Sequence, residues 1–401
     1  MKKILLIAPS SYPVTGAEAI VNIKLLRALS RSGKFEIDLI SKNPKWSNYK
    51  SDDLSKMGIK LRSLHIVEVD NKINLKTIWM HMLSFLKFGI VFKGCHWAVA
   101  ALPIVKKLLR ENEYDYVLTK NSPSFLLGCY AKRKNNVKWV AKWNDPSPSN
   151  FYPSPYGKGW DFKGTLSDRK QIKIMRKYVD VHMFPSKRIR DYMMKYLKID
   201  INKTIVSPHV VLDNDLKDLL CDNTKLRLIH SGNLKSPRDP KTFLSAFARF
   251  IQSHPKAAIE VTILGVFDDE TNLYINELGL SDYIKIKQSV PYDKSLEELA
   301  NHHVALIIEA NCEEGIFMPT KVSDFIQCGK PIFAISPKKG VLNDLYTENC
   351  VDYFAAVDDE DNIHAELVKL YDDFLNGKSF MNRTIPVSFT ETEIVSQYLK
   401  F

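Results

Sequence analysis

Residues 304–335 run strand, loop, short helix, strand, and that order commits the chain to a parallel sheet. Val304–Ile308 (VALII) is a short β-branched run with no room for an amphipathic stripe, which predicts a strand buried on both faces. Ala310–Met318 (ANCEEGIFM) is a polar loop. Pro319 suits the first turn of a helix, where a missing N–H costs nothing. Val322, Phe325 and Ile326 recur at helical spacing, Gly329 fits the left-handed residue past the helix end, and Pro331 stops extension before the strand Ile332–Ile335. In a parallel sheet the loop after a strand and the start of the next helix form the place for a ligand, and free N–H groups there favour phosphate. Asp324 is expected in the second helical turn, where its carboxylate can accept bonds from a ribose diol. Taken alone, the unit equally fits an ordinary strand–helix–strand whose Asp324 is a solvated charge.

The same alternation fills the rest of the chain. Lys3–Ala8 reads as a buried strand, Pro9–Thr15 as a loop, and a helix opens at Gly16 with Ala17, Ile20, Val21 and Leu29 on its apolar face. One glycine there is not the GxGxxG dinucleotide fingerprint, although Gly16 lets backbone approach a ligand closely. Further strands are predicted at Glu36–Ser41, Tyr114–Thr119, Lys138–Lys142, Val179–Phe184 and Thr204–Ser207. The strand at 138–142 ends in Trp143-Asn144-Asp145-Pro146, a polar cluster where open α/β sheets bind ligands. The loop Ser147–Gly164 follows, and its aromatics favour order over disorder. The alternation restarts with strands at Leu226–His230, Ile259–Leu264 and Tyr283–Lys287. The loop Ser231–Pro240 (SGNLKSPRDP) carries Lys235 and Arg238 directly after a strand, where cations can neutralise a departing diphosphate. A chain of 401 residues can bury two cores. The predicted domains are 1–209 and 210–385, with a C-terminal helix in 386–401.

The net charge of +11 hides an asymmetry. Residues 1–210 hold 38 Lys+Arg against 16 Asp+Glu, and the remainder holds 19 against 30. A basic half suits an anionic membrane, a phosphate-bearing acceptor or nucleic acid, or is simply a solvated surface. Ile78–Leu109 mixes Trp, Met, Phe and Leu with lysines. A pair of core helices is the favoured reading, and a basic amphipathic surface on a membrane competes with it. Six widely spaced cysteines without a CxxC pair suit a reducing cytoplasm. No signal peptide or uncharged spanning stretch is legible. His302-His303 lacks a third metal ligand at suitable spacing.

On these motifs the chain resembles the GT-B glycosyltransferases, and among them family 4 of the retaining enzymes (glycosyl transferases group 1), nearly end to end. Thr15-Gly16-Ala17-Glu18 matches a motif with two glycines in the family. Gly232-Asn233-Leu234 with Arg238 matches a Gly-Arg-Leu loop with a lysine six residues past the glycine, so Asn233 stands in place of one diphosphate cation and Lys235 is the candidate substitute. Pro319-Thr320-Lys321-Val322-Ser323-Asp324-Phe325 and Gly329-Lys330-Pro331 match a Pro-Ser-Lys-x-x-Glu-Tyr subgroup motif. Asp324 replaces the glutamate that binds the donor ribose. Ile316 falls on the other glutamate's position, leaving Glu313 and Glu314 as candidate sugar contacts.

The resemblance implies an α/β, GT-B chain: two Rossmann-like domains facing a cleft, the first for the acceptor, the second for the nucleotide sugar, and a C-terminal helix crossing back to the first. It implies a hexosyltransferase-type enzyme that moves a sugar, with retention, from a UDP- or GDP-sugar to a glycan or lipid-linked acceptor in cell-surface polysaccharide biosynthesis. Arg238, Asn144 and Asp145 would be catalytic. Gly16, Gly232, Asn233, Lys235, Arg238, Met318, Pro319, Thr320, Lys321 and Asp324 would hold the donor, and no cofactor or metal is expected. The expected place is the cytoplasm, peripheral on the inner membrane face, with no nucleic-acid partner. A non-catalytic relative binding a nucleotide sugar or a polysaccharide assembly complex, a sugar-nucleotide epimerase and a nucleic-acid binder are the alternatives.

Overall fold

The computed structural model describes every residue except 15, 45–52, 71, 73, 214–215, 217–220 and 381–383, and the side chain of residue 44. Thr15 of the first motif therefore lies outside the described residues. The chain divides into two compact units, Met1–Val210 with Ser388–Phe401, and Val211–Val387.

Unit 1 is a sheet of seven parallel strands: β1 (Lys2–Ile7), β2 (Phe35–Pro44), β3 (Ser63–Val69), β4 (Tyr116–Lys120), β5 (Lys138–Lys142), β6 (Val181–Phe184) and β7 (Thr204–Val206), in the order β3-β2-β1-β4-β5-β6-β7. Its helices are α1 (Ala17–Arg31), α2 (Asp53–Lys56), α3 (Leu75–Phe88), α4 (Cys95–Glu111), α5 (Phe125–Asn135), α6 (Leu166–Tyr178) and α7 (Lys187–Leu197). Unit 2 is a six-stranded parallel sheet of β8 (Leu226–Ser231), β9 (Ile259–Leu264), β10 (Ile284–Lys287), β11 (Val304–Ile308), β12 (Ile332–Ser336) and β13 (Tyr353–Ala356), in the order β10-β9-β8-β11-β12-β13. Its helices are α8 (Lys241–Ser253), α9 (Asp269–Glu277), α10 (Tyr292–Ala300), α11 (Lys321–Gln327), α12 (Val341–Thr347) and α13 (Glu360–Leu375). Every residue of β9, β11 and β12 is buried, as strands covered on both faces require.

In each unit the chain winds outward from a central strand and then returns to that strand's other side. The reversals lie between β1 and β4 and between β8 and β11. Loops leaving the carboxyl ends of two such strands diverge to opposite faces, and the crevice between them is where open α/β sheets place ligands.

The last helix, α14 (Glu391–Leu399), belongs to unit 1. Thr390 caps it, accepting from the Glu393 N–H at 3.3 Å. Tyr116 donates its hydroxyl to the Tyr398 carbonyl at 3.1 Å, and Phe401 meets the Tyr116 ring edge-on. Its buried face is Ile394, Val395 and Tyr398; Leu399, expected in that stripe, is only half-buried.

Two differences from the sequence reading stand out. α11 starts at Lys321 rather than Pro319, so Asp324 lies in the first turn. The two helices expected as core between residues 78 and 109 differ in kind. α4 is a core helix, with Trp97, Val105 and six alanine, valine and leucine neighbours buried, whereas the buried residues of α3 are Thr77 and Ser84.

Tight contacts fix the central sheet of unit 1 against α5. Trp139 donates its indole N–H to Thr119 Oγ1 at 2.8 Å. A Cβ at Gly128 would stand 2.3 Å from that same nitrogen. Gly128→Ala should therefore overpack this site and cost about 1–3 kcal/mol, read as a lower unfolding temperature. An unchanged melting curve would mean that α5 has room to retreat.

Candidate functional site

Two clusters of polar side chains occupy the two crevices, one in each unit.

In unit 2 the crevice is bounded by the loop after β8 and the segment after β11. Gly232 sits at φ +133°, and a Cβ there would lie 1.6 Å from Lys321 Nζ. The lysine ammonium, from the start of α11, thus rests directly over the backbone of this glycine. Gly265, at φ +152°, closes the other side: a Cβ on it would stand 2.3 Å from the Gly232 carbonyl oxygen. The loop is pinned further by Leu234 N–H to the Val266 carbonyl at 3.0 Å and by Val266 N–H to Asn233 Oδ1 at 3.2 Å. Arg238, six residues after the glycine, places Nε 3.3 Å from Oε2 of Glu309, the residue that follows β11. One carboxylate therefore holds the arginine across the point where the sheet reverses.

The electrostatics follow from burial. Desolvation raises the Glu309 carboxyl, and Arg238 and then Lys321 oppose that rise. Desolvation lowers Lys321 to about 8, with Arg238 repelling its charge and Glu309 and Asp324 supporting it. Two cations and one carboxylate thus face each other, Lys321 and Glu309 largely withdrawn from water and the Arg238 side chain 38% exposed. Asp324 Oδ1 accepts from the Tyr292 hydroxyl at 2.7 Å, which fixes that carboxyl group at the α11 end of the crevice.

The remaining residues named from the sequence are distributed unevenly. Lys235 and Asn233 are exposed, and the Asn233 side chain is engaged by the backbone of Val266. Met318 is buried, while Pro319 and Thr320 are half-buried ahead of α11. Glu313 is exposed, and Glu314 pairs with Lys339 at 3.2 Å. Ile316 is fully buried, so its side chain belongs to the core. Glu309 and Tyr292 escaped sequence reasoning; the signal for Glu309 was an acid closing an otherwise apolar strand.

In unit 1 the crevice opens into a cavity of about 470 Å³ lined by Glu18, Asn121, Asp145, Ser147, Tyr152 and Lys93, among others. Asn121, just past β4, sits at φ +53°, in the left-handed region that asparagine tolerates. Its Nδ2 donates to Glu18 Oε1 at 2.8 Å, and its Oδ1 accepts from the Asn144 N–H at 2.9 Å. One side chain therefore ties the first turn of α1 to the end of β5. Burial, and then Asp145, push Glu18 up to about 7. Burial alone pushes Asp145 up to about 6. The cavity thus offers two carboxyl groups that exchange protons near neutrality, the tuning that general acid–base chemistry uses. Gly16, by contrast, is exposed and extended, and a Cβ there would meet nothing within 4 Å.

Beneath the cavity floor lie two buried lysines, register neighbours at the ends of β4 and β5. Lys142 donates to the Ser207 carbonyl at 2.9 Å. Lys120 Nζ has no hydrogen-bond partner among the described residues, and desolvation lowers it to about 7 against the pull of Glu18. The unfolded chain keeps the ordinary lysine value of 10.5 and so binds the extra proton between about pH 7 and that value. Stability contributed at this position therefore rises with pH through that window, and the full cost of the buried charge is present below it. Lys120→Met should raise the melting temperature by several degrees at pH 6.5 and by less at pH 10. Equal increments at both pH values would mean that Lys120 is already neutral at the lower one.

No protein-family model matches the chain. No curated protein matches it either. Its architecture nevertheless has solved counterparts. Anabaena HepE in complex with UDP and glucose superposes with a TM-score of 0.66 at 14% identity, over 100% of this chain and 99% of that one. Sucrose-phosphate synthase from Thermosynechococcus elongatus gives 0.65 at 12% identity, covering 100% and 98%. The lipopolysaccharide outer core galactosyltransferase WaaB, in its apo form, gives 0.59 at 14% identity, covering 99% and 98%. Such similarity establishes the fold: each parallel α/β unit has its counterpart in these structures, and the chain has the GT-B fold.

Proposed function

We propose that the chain is a retaining glycosyltransferase of the family 4 type, taking a hexosyl group from a nucleoside-diphosphate sugar to a glycan or lipid-linked acceptor. The observation that carries this reading is the seating of Lys321 over the Gly232 backbone with Arg238, held by Glu309, near enough to repel it, at the reversal point of a parallel sheet. A lysine over a side-chain-free backbone with an arginine beside it fits a diphosphate, and HepE, which shares the fold, holds UDP and glucose.

In this reading Arg238 and Lys321 stabilise the negative charge that grows on the departing diphosphate. Lys321 takes the part that the exposed Lys235 was expected to fill, because it is the lysine seated against Gly232. Glu309 orients Arg238, and Asp324, steadied by Tyr292, accepts from the ribose. The acceptor hydroxyl attacks the face that the diphosphate leaves, and the leaving phosphate takes its proton, so the bond to the diphosphate oxygen breaks as the new glycosidic bond forms. The unit 1 cavity takes the acceptor side, with Glu18 and Asp145 positioning hydroxyl groups; Asn144, buried and absent from the cavity lining, acts through its N–H on Asn121. UDP, which HepE binds, is the favoured donor nucleotide, and cell-surface polysaccharide synthesis in the cytoplasm the favoured setting. The two cations of the chain do the work that a metal ion does in other transferases.

A thermal-shift panel of UDP, GDP, ADP, CMP and dTDP checks the donor site. One nucleoside diphosphate should raise the melting temperature, since a ligand that binds only the folded state stabilises it. Silence across the panel from a well-folded protein would favour a non-catalytic assembly role. Arg238→Ala should cut turnover by tens- to hundreds-fold, roughly the cost of one lost transition-state donor; near-normal turnover would remove Arg238 from the mechanism. Asp324→Ala should weaken nucleotide binding by about 1–3 kcal/mol, and unchanged affinity would make Asp324 a bystander.

A further inference from the structure

Helix α3 is built inside out. Its buried positions are Thr77 and Ser84, seven residues apart, whose polar atoms are satisfied within the helix and its cap: Thr77 shares a capping box with Asn74, and Ser84 donates to the Ile90 carbonyl at 2.8 Å. The outward positions are Leu75, Ile78, Trp79, Met82, Phe85 and Leu86, each more than half exposed. They recur at the three- and four-residue spacing of a single face. Contiguous exposure of six large apolar side chains is unusual on a monomer surface, and it marks a surface that something else covers.

The charges around the stripe identify the cover. Residues 71–110 contain no Asp or Glu, yet they hold Lys72, Lys76, Lys87 and Lys93 at the two ends of α3. Lys170 of α6 adds another cation at the C-terminal end, its Nζ 2.6 Å from the Gly89 carbonyl oxygen. Beside it the apolar face continues into Val91 and Leu166, joined by the Ser167 hydroxyl to the Val91 carbonyl at 2.9 Å. One carboxylate, Asp70, stands at the N-terminal end, accepting from the Lys72 N–H at 3.0 Å and the Asn74 amide at 3.3 Å. An apolar stripe centred on a tryptophan, with no acid on it and lysines outnumbering that one carboxylate at its ends, matches the interface of an anionic bilayer: acyl chains take the stripe and headgroup phosphates take the lysines. A second copy of the chain would bring the same lysines against each other. No helix among the described residues is long and apolar enough to cross a membrane, so the geometry is that of a helix lying in the surface plane.

We propose that the outward face of α3, with Val91 and Leu166, docks unit 1 on an anionic lipid surface. The inference goes beyond the proposed reaction and does not rest on it. The segment that follows α3 gives Phe92 and Lys93 to the wall of the unit 1 cavity, so a docked helix brings that cavity to the level of the headgroups.

Co-sedimentation of the full chain with phosphatidylglycerol–phosphatidylcholine vesicles, against phosphatidylcholine alone, tests it. The chain should pellet with the anionic vesicles, and high salt should weaken the binding. Trp79→Glu with Phe85→Glu should weaken it at least tenfold. Lys76→Glu with Lys87→Glu should weaken it by about twentyfold or more, taking roughly fivefold per lysine. All four positions are exposed, so melting temperature and nucleotide shifts should stay at wild-type values, separating loss of docking from loss of the donor site. Equal pelleting with neutral vesicles, or undiminished pelleting of the double variants, would overturn the proposal. So would a dimer in light scattering that Trp79→Glu with Phe85→Glu converts to a monomer, since a second copy would then cover the face.

Discussion

The reversal of strand order at the centre of each sheet is the constraint on which the rest depends. A chain that winds outward on both sides of one strand must send the loops of two adjacent strands to opposite faces. Whatever polar side chains those loops carry meet across the gap. In unit 2 they are Arg238 and Glu309; in unit 1 they are Glu18 and Asn121. The helices and cores serve to hold those loop ends still. Phe243, Phe247 and Phe250 of α8, for instance, are completely or almost completely buried against the unit 2 sheet, and each contributes roughly 1.5–3 kcal/mol of apolar burial.

Much of this frame was legible in the sequence. The run for β11 carries its boundaries in plain apolar text, as a strand buried on both faces favours, and the β-branched and aromatic residues of β5 and β9 mark those strands despite the buried Lys142, Glu260 and Thr262. The strands that escaped notice, β3 and β13, are both sheet edges. Ser63–Val69 alternates polar and apolar residues with most of them half-exposed, and Tyr353–Ala356 is only four residues long. The site was legible in its cations and its glycine but not in its pairing. Arg238 and Glu309 are 71 residues apart, and Glu18 and Asn121 are 103 apart. Nothing local marks either acid as the partner of a distant loop.

Helix α3 was misread for a different reason. A core helix and a surface-docking helix share composition, and they differ in which residues face the protein. Thr77 and Ser84, at heptad spacing within an apolar stretch, were the available clue: small polar residues line the side that packs closely, while the large ones point away. The neighbouring α4 shows the opposite arrangement over the same compositional range. Beside α3, the acid-free stretch gives the local charge a direction that the whole-half excess of Lys and Arg does not.

On the proposed reading, Glu309 gives the unit 2 crevice a threshold. With no ligand present, Arg238 already has an anion within reach, held by the protein at high local concentration. An incoming anion must therefore outcompete a resident carboxylate before it gains the arginine. A single weak charge, such as chloride or a lone carboxylate, has little advantage over Glu309, whereas a diphosphate brings more charge and more acceptor atoms and also meets Lys321. On that reading the crevice acts as a valence filter, its own counter-ion disfavouring monovalent anions relative to those that carry two phosphates.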